Sequence, residues 1–355
     1  MRKIVALLLI CMLLLSGCSN WLKSSYSSVK PHEEPLHQQG DPEVSVSNSE
    51  EMRDALISVI EAGAESGVVY IRHETEDSAR QDMDRAISDV CTNNPFAAYS
   101  VEKISYAFGN RNGRKAMSIQ VDYLPNRIRA DKILRIETLE QVEEQLTQRL
   151  DACDAAVVLY LDNPEQVDYA QIVEDYTITH PEKVMESPEV TVNLYPELAQ
   201  QQVVEIKFTY QTSRAELRTL QNKVAPVFAS AAQYVTGEWT PTEKAQRLYA
   251  FLMERYAYNI QTSITPAYSL LLHGVGDSRA FATVYAAMCR QAELDCRMVT
   301  GTRNGTAWVW NAVQIDGEYY YIDLLFCNEN GGFRLSKQEE MPNYVWDYSA
   351  YPMAE

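Results

Sequence analysis

"TAWVWNAVQIDGEYYYID", Thr306 to Asp323, decides the fold of the last third of the chain. Two β-rich runs flank Asp316-Gly317, and Asp-Gly in that setting is a strong signal for a two-residue hairpin turn. The turn predicts the register: Ile315 faces Glu318, Val313 faces Tyr320, Trp310 faces Asp323 and Trp308 faces Leu325. Opposed residues of an antiparallel ladder share a face. Trp308, Trp310, Ala312, Tyr319, Tyr321 and Asp323 are therefore expected on one side of the sheet.

Upstream lies "HGVGDSRAFATVYAAMCRQ", His273 to Gln291, a Gly-rich turn running into an apolar-striped helix. Ala280, Phe281, Val284, Tyr285 and Met288 form its buried face. Gly276 stands where turn becomes helix and has no side chain for chemistry. An earlier helix opens at Thr240-Pro241-Thr242-Glu243, with Thr as N-cap, Pro at the first position and Glu closing a capping box. Ala245, Leu248, Tyr249, Leu252 and Tyr256 make its stripe, and "CRMVTG" at 296–301 reads as a strand.

Taken together, these helices, the G-x-G-D-x-x-A turn, the V-T-G strand, the hairpin and the tail "FRLSKQEEMPNYVWDYSAYP" resemble a bacterial transglutaminase-like domain. The resemblance runs from Thr240 to the end and implies a papain-like α+β domain at 239–355. Such domains hold a Cys at a helix start, where the dipole favours thiolate, a His on a strand that activates it, and an Asp on the next strand that orients the His. Carried over residue by residue, the Cys position falls on Gly276, the His position on Trp308 and the Asp position on Asp323. The resemblance thus implies a site without nucleophile or base. Ser278, two residues on, is expected to point about 200° away along a helix. Cys289 lies more than three turns down that helix, and His273 has no thiol to serve. Two readings of the altered site follow. Trp308, Trp310, Tyr319, Tyr321 and Asp323 line an aromatic binding cleft, or Trp308 plugs it, with Asp323 accepting an indole N–H.

The middle of the chain reads as two repeated α+β modules, 49–130 and 131–212. "SGVVYIRHE" at 66–74 has a counterpart in "AAVVLYLDN" at 155–163, each between helical patterns. Each half ends in strict alternation, Met117, Ile119, Val121, Tyr123 and Val204, Ile206, Phe208, Tyr210, the mark of a sheet with one wet face. His73 and His180 each stand alone, without catalytic company. A helical linker at 213–238 follows, N-capped by Ser213 and expected to break or kink at Pro226.

The first residues address the chain. Arg2 and Lys3, the apolar run Ile4 to Leu15 and Leu15-Ser16-Gly17-Cys18 form a secretory signal at 1–17 resembling a lipoprotein leader, which implies a lipid on Cys18. Residues 18–48, rich in Ser, Pro and charge, read as a flexible tether from the outer face of a bacterial membrane. The net charge of −18 leaves no electrostatic footprint for nucleic acid. Cysteines are scattered and odd in number after Cys18, with no zinc spacing, so neither a disulfide framework, a metal nor a cofactor is expected. The expected function is binding or scaffolding at the cell surface, with cell-wall peptide or glycan, or an envelope protein, as partner. The alternatives are a peptidase, amidase or acyltransferase using non-standard residues, and a non-binding spacer or assembly factor.

Overall fold

The computed structural model describes residues 44–259 and 266–349, all within one compact unit. The expected signal, Cys18 and the expected tether up to residue 43 lie outside the described residues.

The first module runs β1 (Ser45–Val46), α1 (Ser49–Glu61), β2 (Ser66–Ile71), α2 (Glu76–Asn93), α3 (Pro95–Ser100), β3 (Val101–Arg111) and β4 (Arg114–Tyr123). Asn48 and Thr75 cap α1 and α2 by accepting the Glu51 and Ser78 N–H groups. The sheet order is β1-β2-β4-β3, with β1 parallel to β2 and the other pairs antiparallel. Met117, Ile119 and Val121 of β4 are buried among the helices, while Ser118, Gln120 and Asp122 face out. Ser45 and Val46 belong to this sheet rather than to the tether, because they pair with Tyr70 and Ile71 and so satisfy an edge.

The second module runs β5 (Leu134–Arg135), α4 (Leu139–Asp151), β6 (Ala156–Asp162), α5 (Tyr169–Thr179), β7 (Glu189–Tyr195) and β8 (Gln201–Thr209). Its sheet order is β5-β6-β8-β7, again with a short parallel strand at one edge and an antiparallel hairpin at the other. The modules meet where Phe96 stacks on Tyr160 at 4.8 Å, under the Arg135 guanidinium.

Helix α6 (Arg214–Tyr234) is N-capped by Ser213, as its sequence predicts, and Glu216 closes a capping box there. It does not break at Pro226. One lost hydrogen bond in a helix this long is outweighed by burial of Leu217, Val224, Phe228 and Ala231 on both sides of the proline.

The last part runs α7 (Pro241–Met253), β9 (Ala257–Tyr258), α8 (Pro266–His273), β10 (Val275–Gly276), α9 (Ser278–Gln291), β11 (Cys296–Arg303), β12 (Thr306–Ile315), β13 (Glu318–Ile322), α10 (Leu324–Glu329) and β14 (Tyr344–Trp346). Its antiparallel sheet has the order β13-β12-β11-β14. Asp316 and Gly317 both take positive φ, 50° and 91°, as a tight hairpin turn demands. Ile315 pairs with Glu318 and Val313 with Tyr320 as expected. The ladder stops at Asn311–Ile322, so the expected Trp310–Asp323 and Trp308–Leu325 pairs do not form. Asp323 leaves the sheet to cap α10. Helix α9 crosses the sheet, buries Phe281, Val284, Tyr285 and Met288, and donates the Tyr285 hydroxyl to the Ala245 carbonyl at 2.9 Å. The five described cysteines, Cys91, Cys153, Cys289, Cys296 and Cys327, are free. No described helix is long and apolar enough to cross a membrane.

Candidate functional site

The start of α9 is built by a short parallel ladder. Val275 and Gly276 of β10 pair with Ala257 and Tyr258 of β9. The chain then turns at Asp277, whose carboxylate accepts the Ala280 N–H at 2.9 Å and sets Ser278 as the first helical residue. Gly276 is buried before the helix begins. A Cβ there would stand 2.8 Å from the Ala280 Cβ, closer than real side chains pack, and a tight 3.2 Å from the Leu270 Cβ. Gly276 therefore points into packed core, and no cysteine fits there on this backbone.

Ser278 holds the helix-start position instead. Its Oγ accepts the Val309 N–H of β12 at 3.3 Å, directly beside Trp308. One turn on, the fully buried Asn311 donates to the Ala282 carbonyl at 2.9 Å and locks β12 onto α9. The 200° separation expected between positions 276 and 278 fails because Gly276 is strand, not helix. Asp277 is the sequence signal that places the helix start correctly: an Asp N-cap makes 278 the first helical residue.

Trp308 and Asp323 are brought together. The half-buried Trp308 donates its indole N–H to Asp323 Oδ2 at 2.7 Å. Asp323 is 4% exposed and its acceptors are engaged. Oδ1 takes the Leu325 and Phe326 N–H groups at 3.1 and 3.0 Å. Oδ2 also takes the Tyr344 hydroxyl at 2.7 Å and faces Arg303 Nη1 at 3.4 Å. Burial, reinforced by the Asp323 charge and hydrogen bond, pushes the Tyr344 hydroxyl well up, so it stays a donor. Among the described residues, the Ser278 hydroxyl meets the Val309 N–H and no imidazole or carboxylate is bonded to it. The neighbouring indole donates its proton and offers no lone pair, so it cannot accept the serine proton.

Other expected cleft residues are core. Trp310 and Tyr321 are each 1% exposed, covered by β14 and the segment before it. Trp346 meets Trp310 edge-on at 5.3 Å and Tyr321 at 4.9 Å. Gly301 permits this approach, since a Cβ there would lie 2.3 Å from the Val345 carbonyl oxygen. Tyr319 donates its hydroxyl to Asp295 outside this cluster, and burial with that bond pushes it up to about 12. Trp310 is therefore core, whereas Tyr321 and Asp323, though buried, each contribute to the wall of a small cavity.

The exposed part of the site is made by residues the sequence did not single out. Tyr258 tilts against Trp308 at 5.8 Å and is 41% exposed. Arg303 lies over the Trp308 and Phe326 rings at 5.3 and 4.9 Å, and Phe326 is 37% exposed. Below them, a cavity of about 280 Å³ opens among Arg303, Asp323, Phe326, Arg334 and Tyr344. Among the described residues, no group of three His, Cys, Asp or Glu could hold a metal ion.

Residues 229–324 match the model of the transglutaminase-like superfamily, so the chain carries a transglutaminase-like domain. No curated protein matches the chain. Among solved structures it is similar to one described as a TGase, at 7% identity over 71% of this chain and 72% of that one, with a TM-score of 0.30. It is also similar to one described as a cysteine protease from Cytophaga hutchinsonii, at 15% identity over 47% of this chain and 70% of that one, with a TM-score of 0.27. A third, described as a protease from Parabacteroides distasonis, shares 10% identity over 73% of this chain and 40% of that one, with a TM-score of 0.24.

Proposed function

We propose that the transglutaminase-like domain is a catalytically silent receptor, held at the outer face of a bacterial membrane by lipid on Cys18, that binds cell-wall peptide or glycan. The observation that carries the reading is the indole of Trp308 donating to Asp323 beside Ser278. At the place where acyl-transfer chemistry of this fold needs a base, the chain has a donor. Trp308 is held by Asp323, and Ser278 is held by the Val309 N–H of the same strand, an arrangement with no route for a proton out of the serine.

The half-exposed ring of Trp308, flanked by Tyr258, Phe326 and Arg303, supports a binding role. Aromatic faces with nearby polar groups suit peptides and sugars. Arg303 adds donors for peptide carbonyls or carboxylates.

Co-sedimentation with purified cell-wall sacculi tests this, using residues 44–355. Tyr258→Ala and Phe326→Ala alter exposed rings and leave the core intact. The native protein should pellet with sacculi, and the double variant should stay in solution. Equal pelleting of the two would refute the assignment of the site.

A further inference from the structure

Away from Ser278, Trp308 and Asp323, a cavity of about 490 Å³ lies where α5 and the 181–190 segment meet the first turns of α9. Small-molecule sites span roughly 300–1,000 Å³ and favour junctions between structural units. The walls are mostly apolar, with Val173, Ile178, Pro181, Val184 and Met185 contributing. Two polar groups break that lining. The Thr177 hydroxyl oxygen is buried with no hydrogen-bond partner among the described residues. Arg279, one residue past Ser278, is the cation of the lining and pairs with no described residue.

The acidic groups nearby are accounted for. Asp277 is engaged in capping Ala280. Glu186 accepts the backbone N–H groups of Gln211 and Thr212. Glu174 is exposed, so water screens it. The positive end of α9 adds to the Arg279 charge at the same place.

We propose that this cavity binds one amphiphilic anion, an apolar body held by the walls with a carboxylate or sulfonate on Arg279. The unpartnered Thr177 hydroxyl supplies a donor within the lining. This site stands independently of the aromatic surface around Trp308.

The test uses 1-anilinonaphthalene-8-sulfonate, an apolar sulfonate whose fluorescence rises on leaving water, with the folded chain. Ala170 lines the cavity but is exposed, so Ala170→Trp fills the space without entering the core. Arg279→Gln removes the charge at an exposed position, which keeps the test open should the first variant fold poorly. The native chain should bind one dye, and each variant should weaken binding about tenfold or more, the scale of one lost charge-assisted contact. Dodecanoate should displace the dye at about one tenth the concentration that dodecanol needs. Dye binding unchanged by Arg279→Gln, or equal displacement by dodecanol, would overturn the proposal.

Discussion

Replacing Asp323 should reveal a carboxylate that now serves structure. In Asp323→Ala, α10 loses the cap on its Leu325 and Phe326 N–H groups, a loss of about 1 kcal/mol. The buried Tyr344 hydroxyl loses its acceptor, which costs about 1–3 kcal/mol. Trp308 is only half buried, so water replaces much of what its N–H loses and the cost there is smaller, about 0.5–1 kcal/mol. Together the variant should lose about 3–5 kcal/mol. Asp323→Asn keeps one acceptor for the cap but turns an amide N–H₂ toward two donors, for a loss of about 2 kcal/mol. The assay is urea unfolding followed by circular dichroism, in a cycle with Tyr344→Phe. The two positions should couple by about 1–2 kcal/mol, because they share one hydrogen bond. A loss below about 1 kcal/mol for Asp323→Ala, with no coupling to Tyr344, would refute the reasoning.

Three further outcomes are expected. Ser278→Cys alone, at the first position of α9, should give a thiol that alkylates with a midpoint somewhat below the ordinary value of about 8.5, and adding Trp308→His should lower it by about a further unit or more, read by iodoacetamide labelling and peptide mass spectrometry against pH. Gly301→Ala should cost about 1–3 kcal/mol and expose the chain before Trp346 to protease, because the new methyl meets the Val345 carbonyl of β14. Burial, and then the charge of Arg290, holds His180 down to about 4 from its ordinary 6.5. A folded value below the unfolded one means that the unfolded chain binds more protons between them, so stability should fall as pH drops from about 6.5 to about 4. His180→Gln should flatten that slope in thermal unfolding measured across the same range.

What could be read from sequence depended on how local its cause was. Asp316-Gly317 announces its turn because the positive φ values are properties of two neighbouring residues. The N-cap at Ser213 and the capping box at Thr240 are equally local and stand where the sequence puts them. Pro226 does not end its helix because the breaking tendency is local, while the burial that outweighs it comes from partners far along the chain. Trp310 looks like a cleft residue until β14 is placed, and β14 reaches β11 only across more than forty residues of sequence.

The site follows the same rule. Alternation in the hairpin is enough to set Trp308 near Asp323, yet their contact runs through the α10 cap rather than through ladder pairing. Position 276 drew attention because the resemblance to transglutaminase-like domains puts their cysteine there. Its real constraint is the Ala280 and Leu270 side chains, which no sequence pattern reveals. Tyr258, Arg303 and Phe326 come from three separate elements and share no spacing, so only the fold assembles them around Trp308.

The most direct measurement incubates the folded protein with purified cell-wall peptides and follows the same sample by binding and by mass spectrometry. The account predicts saturable binding that Tyr258→Ala with Phe326→Ala removes, and peptides recovered with unchanged masses. Cleaved or cross-linked peptides whose formation stops in Ser278→Ala would contradict it, because they would show that Ser278 finds a base this arrangement does not supply.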